Sequence, residues 1–224
     1  NIDVSVPAIC PGQTEILTAT PGYVHYEWSN GDLGITNIVT QPGTYTVTVT
    51  NQYGCTGTGS VTVEPLPSPP IALAYTPLCS GGSSTLTVSG GTFDHYLWAG
   101  GQTTSSIVTS TPGTYSVIVS SANFCTASTS ITISPSPAPN AIVASPTQLN
   151  CNAPLTVLDA TTSSWGPGFS FVWTTTGGNF VTGQNTLTPT VNEVGSYTLQ
   201  VTNTATGCNA STSVTVTSAM QAPS

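Results

Sequence analysis

Residues 42–55 read Pro-Gly-Thr-Tyr-Thr-Val-Thr-Val-Thr-Asn-Gln-Tyr-Gly-Cys. Tyr45, Val47 and Val49 alternate with Thr44, Thr46, Thr48 and Thr50. A period of two marks a strand with one apolar face and one hydroxyl face. The stretch recurs at residues 112–125 (PGTYSVIVSSANFC) and 195–208 (GSYTLQVTNTATGC), so the chain is a threefold repeat. Upstream of each copy lies an aromatic-x-Trp: Tyr26 with Trp28, Tyr96 with Trp98, Phe171 with Trp173. Further upstream is an early Cys (Cys10, Cys79, Cys151), and each copy ends on a late Cys (Cys55, Cys125, Cys208). A short alternating strand closes each unit: SVTVE at 60–64, SITIS at 130–134, SVTVT at 213–217. Trp-to-Tyr spacings are 17, 17 and 24 residues, so the third repeat carries the insertions, around SSWGPGF and TTTGGNFVTGQN.

Composition agrees with an all-β chain. There are 42 Thr and 27 Ser among 224 residues, and Thr favours strands. Gly 22 and Pro 18 are spread as punctuation, and helix formers are scarce. Charged residues are 4%, against about 25% in a typical domain. Lys+Arg is 0 at a formal net charge of −8. A chain with no cation beyond its N-terminus and the side chains of His25 and His95 cannot neutralise phosphates, which argues against nucleic acid as a partner. Schiff-base chemistry and phosphoryl clamps lack their Lys and Arg. No run reaches the ~18 apolar residues of a membrane helix. Pro-rich stretches at Glu64–Pro70 and Ser134–Pro139 read as stiff polyproline spacers. They bound three expected β-sandwich domains at residues 1–66, 70–136 and 141–218, the last with loop insertions. In each, the Trp pair and the Gly-x-Tyr supply the expected core: Tyr26, Trp28, Tyr45; Tyr96, Trp98, Tyr115; Phe171, Trp173, Tyr197.

Gly-x-Tyr opening the penultimate strand resembles a tyrosine corner, and the Trp on a middle strand resembles the buried Trp of immunoglobulin-like domains. The phrases PGTYTVTVTNQYGC, YLWAGGQTT (96–104) and GSYTLQVTNTATGC resemble the Ig-like or PKD-like repeats of secreted bacterial surface proteins. The nearest type is that of gliding-motility-associated adhesins of Bacteroidetes-type bacteria. The resemblance implies an extracellular or cell-surface setting and carries no catalytic residues or cofactor. Such repeats serve stalks, adhesins and enzyme appendages alike.

Repeat symmetry favours one disulfide per repeat, Cys10–Cys55, Cys79–Cys125 and Cys151–Cys208, with no free thiol. One conflict stands against it. In a strict immunoglobulin topology the early and late Cys lie near opposite poles, so either the first strand departs from that template or the pairing differs. Zinc spacing such as CxxC is absent. His25 and His95 stand three residues before their Trp and are expected to point outward. The eight acidic residues are scattered, with no calcium-loop pattern and no metal site expected. Trp165, in a loop unique to the third repeat, is the candidate ligand or interface residue. Asn209 heads the one N-x-[ST] sequon, and sugar on the Ser/Thr surface would help an almost uncharged chain stay in solution.

These features point to a non-catalytic structural repeat unit of an extracellular filament or stalk. The alternative is an adhesin or carbohydrate-binding module that recognises a ligand, such as a surface glycan, through the third repeat's loops. Late-to-early Cys spacings are 24 and 26 residues inside the chain, and joining the tail of one copy to the head of the next again gives 26. The expectation is a head-to-tail partner, another copy of the chain, as a covalent tandem array or a helical filament. In the filament the alternating Ile2, Val4 and Val6 would add a strand to a neighbour's sheet edge. A boundary falling at an arbitrary linker is the remaining reading.

Overall fold

The computed structural model describes residues 2–3 and 8–219. Among them no residue is helical, and the strands form small antiparallel sheets with a few parallel pairs. Contacts gather into two compact units. The first holds Asn1–Leu73, Val88–Ser105 and Tyr115–Ile131; the second holds Ala74–Thr87, Ser106–Thr114 and Thr132–Ser224. The second repeat is therefore shared between the two units.

In the first unit, the first repeat forms two facing sheets. One runs Ile2–Asp3, Glu15–Ala19, Thr36–Val39; the other runs Ala8–Ile9, Thr56–Pro65, Gly43–Thr50, His25–Trp28. Leu17, Ala19 and Val39 from one sheet and Ile9, Trp28, Val47 and Val63 from the other make a single apolar cluster. Tyr26 and Tyr45 pack against its edge. The same unit carries the tryptophan and tyrosine strands of the second repeat, with Tyr96 opposite Val119 and Trp98 opposite Val117. The expected outward face of these strands is hydroxyl-rich: Thr44 meets Thr62 at 3.0 Å across the ladder.

The second repeat's other sheet pairs Ser84–Ser89 with Ser106–Thr109 and Ala72–Tyr75, strands whose residues fall mostly in the second unit. The third repeat pairs Phe169–Thr176, Gly195–Asn203 and Asn209–Val216 in one sheet and Thr156–Val157, Thr190–Val191 and Phe180–Thr182 in another. Its cluster holds Leu158, Ala160, Trp173, Val191, Tyr197, Leu199 and Val201, with Phe171 partly buried against it. The alternation Tyr197, Leu199, Val201 reads directly as fully buried against half-exposed Thr198 and Thr202 and exposed Gln200.

Each core Trp is buried with its indole N–H satisfied. Trp28 donates to the Gly34 carbonyl at 3.0 Å, Trp98 to Thr104 at 2.9 Å and Trp173 to Thr186 at 2.9 Å. A buried indole without an acceptor would cost its full desolvation, so the turns after the Trp strands of the first two repeats, and the Gly183–Thr186 turn of the third, are tied to the core. The tyrosine corner is present as well. Tyr45 donates to the Gln41 carbonyl and Tyr197 to the Glu193 carbonyl, each four residues upstream at 2.8 Å. Tyr197 also accepts from the Asn179 amide at 3.0 Å and stacks edge-on with Phe180, ring centroids 5.2 Å apart. That fit needs Gly178, since a Cβ there would run into the Tyr197 hydroxyl. The third repeat's insertion is thus built around its buried tyrosine.

Replacing Tyr197 by Phe leaves the Asn179 amide and the Glu193 carbonyl without their buried partner. The expected loss is about 1–3 kcal/mol, read as a lower urea midpoint for the third repeat. Tyr45→Phe, at an exposed bond that water can replace, is expected to cost less than about 1 kcal/mol. Equal midpoints for wild type and Tyr197→Phe would remove the corner from the account of stability.

Candidate functional site

The chemistry of this chain concentrates where one repeat hands over to the next. The segment before each early Cys runs parallel to the end of the strand that closes its own repeat, or to the residues that directly follow that strand. Ala8 lies opposite Glu64 and Ile9 opposite Pro65, and the Leu66 amide donates to the Ile9 carbonyl at 2.9 Å. Leu78 lies opposite Pro135 and Cys79 opposite Ser136. Leu149 lies opposite Ser218, with the Ala219 amide donating to its carbonyl at 2.9 Å. Buried Ile9, Leu78 and Leu149 anchor these pairings. Each early Cys therefore sits beside the exit of its repeat.

The late Cys sits at the opposite end. It ends the hairpin loop between the tyrosine strand and the closing strand. Asn51 donates its amide to the Cys55 carbonyl at 3.0 Å, Ser121 to Cys125 at 3.1 Å, Asn203 to Cys208 at 2.8 Å. In all three loops the residue before the Cys takes a left-handed backbone: Gly54 at φ 80°, Phe124 at φ 62°, Gly207 at φ 74°. Phe adopts that region at a cost, so the loop geometry and not the side chain sets it.

This geometry excludes the within-repeat pairing. Ile9 lies beside Pro65, whereas Cys55 precedes Thr56, and the strand between them is 10 residues long. At about 3.3 Å per residue Cys10 and Cys55 are about 30 Å apart. A disulfide needs Cα atoms within about 7 Å. The same argument separates Cys151 from Cys208 along Asn209–Val216. The bonds are instead Cys10–Cys125 and Cys79–Cys208, each with Cα–Cα 5.4 Å. Cys10 and Cys79, the early Cys of the first two repeats, thus each join the late Cys of the next repeat. Cys55 and Cys151 are free and exposed, which corrects the expectation of six paired cysteines.

The Pro-rich stretches take part in the same junctions. Pro135–Ser136 is a strand against Leu78–Cys79. A Cβ on Gly90 would come within 2.8 Å of the Pro70 carbonyl oxygen, so that linker lies against the second repeat's turn. The loop of Ser163, Ser164 and Trp165 grips the second linker's end. Asn140 donates its amide to the Ser164 hydroxyl at 2.9 Å, and Ile142 donates to the Ser163 hydroxyl at 2.9 Å. The Trp165 ring itself is 71% exposed.

The other singled-out residues lie apart from one another. His25 and His95 are exposed on their ladders, opposite Thr50 and Ser120. Asn209 is exposed at the start of its strand, next to Cys208. The Thr161 hydroxyl, and then the Thr161 amide, hold the exposed Asp159 carboxyl below the usual carboxylate range. Among the described residues no three of His, Cys, Asp or Glu gather where they could hold a metal ion. Ile2 and Asp3 pair with Ala19 and Thr18 of their own repeat, and Val4 and Val6 lie outside the described residues.

No family model and no curated sequence matches the chain. Among solved structures, three N-terminal domains of the Highly Immunogenic Outer Capsid protein of bacteriophage RB49 match at TM-score 0.51 and 15% identity, over 98% of each chain. A 1.5-MDa bacterial ice-binding adhesin matches at TM-score 0.41 and 14% identity, over 97% of each chain. The four N-terminal Ig domains of Dscam1 isoform 8.4 match at TM-score 0.30 and 11% identity, over 96% of this chain and 72% of that one. The phage likeness agrees with a tandem immunoglobulin-like fold and says nothing of activity.

The junction disulfides are directly checkable. A dispersed, unreduced chain is expected to show two reactive thiols, and a chymotryptic map should contain Cys10 linked to Cys125 and Cys79 linked to Cys208. A Cys10–Cys55 peptide would overturn the parallel pairing of Ala8–Ile9 with Glu64–Pro65.

Proposed function

We propose that the chain is a non-catalytic structural repeat unit of an extracellular filament or cell-surface stalk, assembled head to tail. The observation that supports this is the rule of the disulfides: every internal handover between repeats is closed by a covalent bond. A ligand-binding domain has no need of such bonds at its joints, while a load-bearing array does. Disulfides also fit an oxidising, extracellular setting. No helix among the described residues is long and apolar enough to cross a membrane.

The three modules at residues 1–66, 70–136 and 141–218 are the proposed units of length. Strand donation by Ile2, Val4 and Val6 is not part of the proposal, because Ile2–Asp3 is taken up by its own repeat. Glycans on exposed Asn209 or on the Ser/Thr faces are proposed as the solubilising coat. A second reading, an adhesin acting through the third repeat, rests on the exposed Trp165 ring.

Electron microscopy of the native material separates the two. Filaments whose axial repeat holds three modules are the expected result. A stable monomer whose sugar binding disappears in Trp165→Ala would move the assignment to the adhesin. An intact mass of 22.7 kDa, that of the bare chain, would remove the glycan coat.

A further inference from the structure

Two observed bridges obey one rule: early Cys of a repeat to late Cys of the following repeat. Applied within this chain, the rule uses Cys10, Cys79, Cys125 and Cys208. It leaves one early Cys, in the last repeat, and one late Cys, in the first. We propose that Cys151 of one copy forms a disulfide with Cys55 of the next, so that head-to-tail assembly is covalent through the same joint that links the repeats internally. The proposal rests on the head-to-tail reading and supplies its bond.

The local geometry of Cys55 matches that of the bonded late cysteines, and Cys151 lies in the same kind of turn as the bonded early cysteines, one residue further along it. Cys55 ends its loop with the same amide-to-carbonyl bond as Cys125 and Cys208, and the residue before it has the same left-handed backbone. The Asn51 side-chain oxygen also accepts the Cys55 amide at 3.0 Å, so the loop is held in that form before any partner arrives. Cys151 follows Leu149, whose carbonyl takes the Ala219 amide as that of Ile9 takes the Leu66 amide. Each early Cys lies in a tight turn just after its anchor. The Gln13 amide closes the turn at the Cys10 carbonyl, 3.1 Å, and the Gly82 amide at the Cys79 carbonyl, 2.9 Å. In the third repeat Ala153 closes it on Asn150, 3.1 Å, which places Cys151 one residue further out. Both thiols are exposed, as a bond to another chain requires.

The chemistry balances with a low-molecular-weight disulfide, RSSR, as oxidant. The Cys151 thiolate attacks one sulfur of RSSR, forms a mixed disulfide and releases RS⁻. The Cys55 thiolate of the next copy then attacks the Cys151 sulfur, the mixed S–S bond breaks and a second RS⁻ leaves. Two protein thiols become one disulfide, RSSR is reduced to two RSH, and the two thiol protons pass to the released thiolates.

The test uses the 224-residue chain in a glutathione redox buffer, with Cys55→Ser and Cys151→Ser as partners. Wild type should give a ladder of multimers on a non-reducing gel that collapses on reduction, and its digest should contain Cys55 linked to Cys151. Each variant alone should stay monomeric, and their mixture should give a covalent dimer. Both substitutions are at exposed positions, and the wild-type digest needs no variant at all. Dimers from either variant alone, or a digest with Cys55 linked to Cys55, would overturn the rule. Filaments in which Cys55 and Cys151 remain thiols would sink the inference and leave head-to-tail assembly standing. Chains that form neither bond nor filament would sink both.

Discussion

Ile9 beside Pro65, Leu78 beside Pro135 and Leu149 beside Ser218 form a parallel pairing on which the rest of the molecule depends. Parallel pairing fixes direction as well as neighbour: the leading segment and the closing strand leave the repeat at the same end. It puts the early Cys at the exit of each repeat and leaves the late Cys in the hairpin at the entrance. A cysteine at an exit can reach only what comes next. The disulfides therefore tie repeats together in sequence and do not brace any repeat internally.

Loop-closure entropy would not have selected between the two schemes. Closing about 45 residues within a repeat restrains the unfolded chain by about 4 kcal/mol, and closing 115 residues across repeats by about 5 kcal/mol. The difference is smaller than the cost of bending a sandwich to bring its two ends together. Position on the strands decides the pairing. What the cross-repeat bonds add is continuity at the linkers, where Pro135–Ser136 is already a strand and Pro70 already lies against a turn.

The chain holds together with no Lys or Arg, and so without side-chain ion pairs from those residues. Neutral hydroxyls and amides fill the role. Thr44 with Thr62, Thr114 with Thr132 and Thr198 with Ser213 meet across strands at 2.8–3.0 Å. Inside, Asn37 is buried and exchanges amide hydrogen bonds with Asn30, and Ser163 bonds both ways with the Ile142 backbone. Among the described residues no buried side-chain nitrogen or oxygen lacks a partner. Because these contacts carry no charge, salt screens none of them.

The all-β class, the threefold repeat, the core Trp and the tyrosine corner were determined by the sequence alone. Each is a local pattern: alternation of Val with Thr, and fixed spacings from Trp to Tyr to Cys. Burial of the apolar face leaves one register in which Trp28, Trp98 and Trp173 turn inward. The destination of the six cysteines was decided only by tertiary structure. Repeat symmetry is equally satisfied by pairing within a repeat or with the next one, since both treat all repeats alike. The choice depends on which end of a strand each Cys occupies. That follows from a parallel pairing of one or two residues per repeat, too short to leave a periodic signal and joined by contacts some 55–70 residues apart in the chain. The same holds for Trp165, whose loop reads as a free insertion in sequence and becomes a clasp on the linker only through the Ser163 and Ser164 hydrogen bonds.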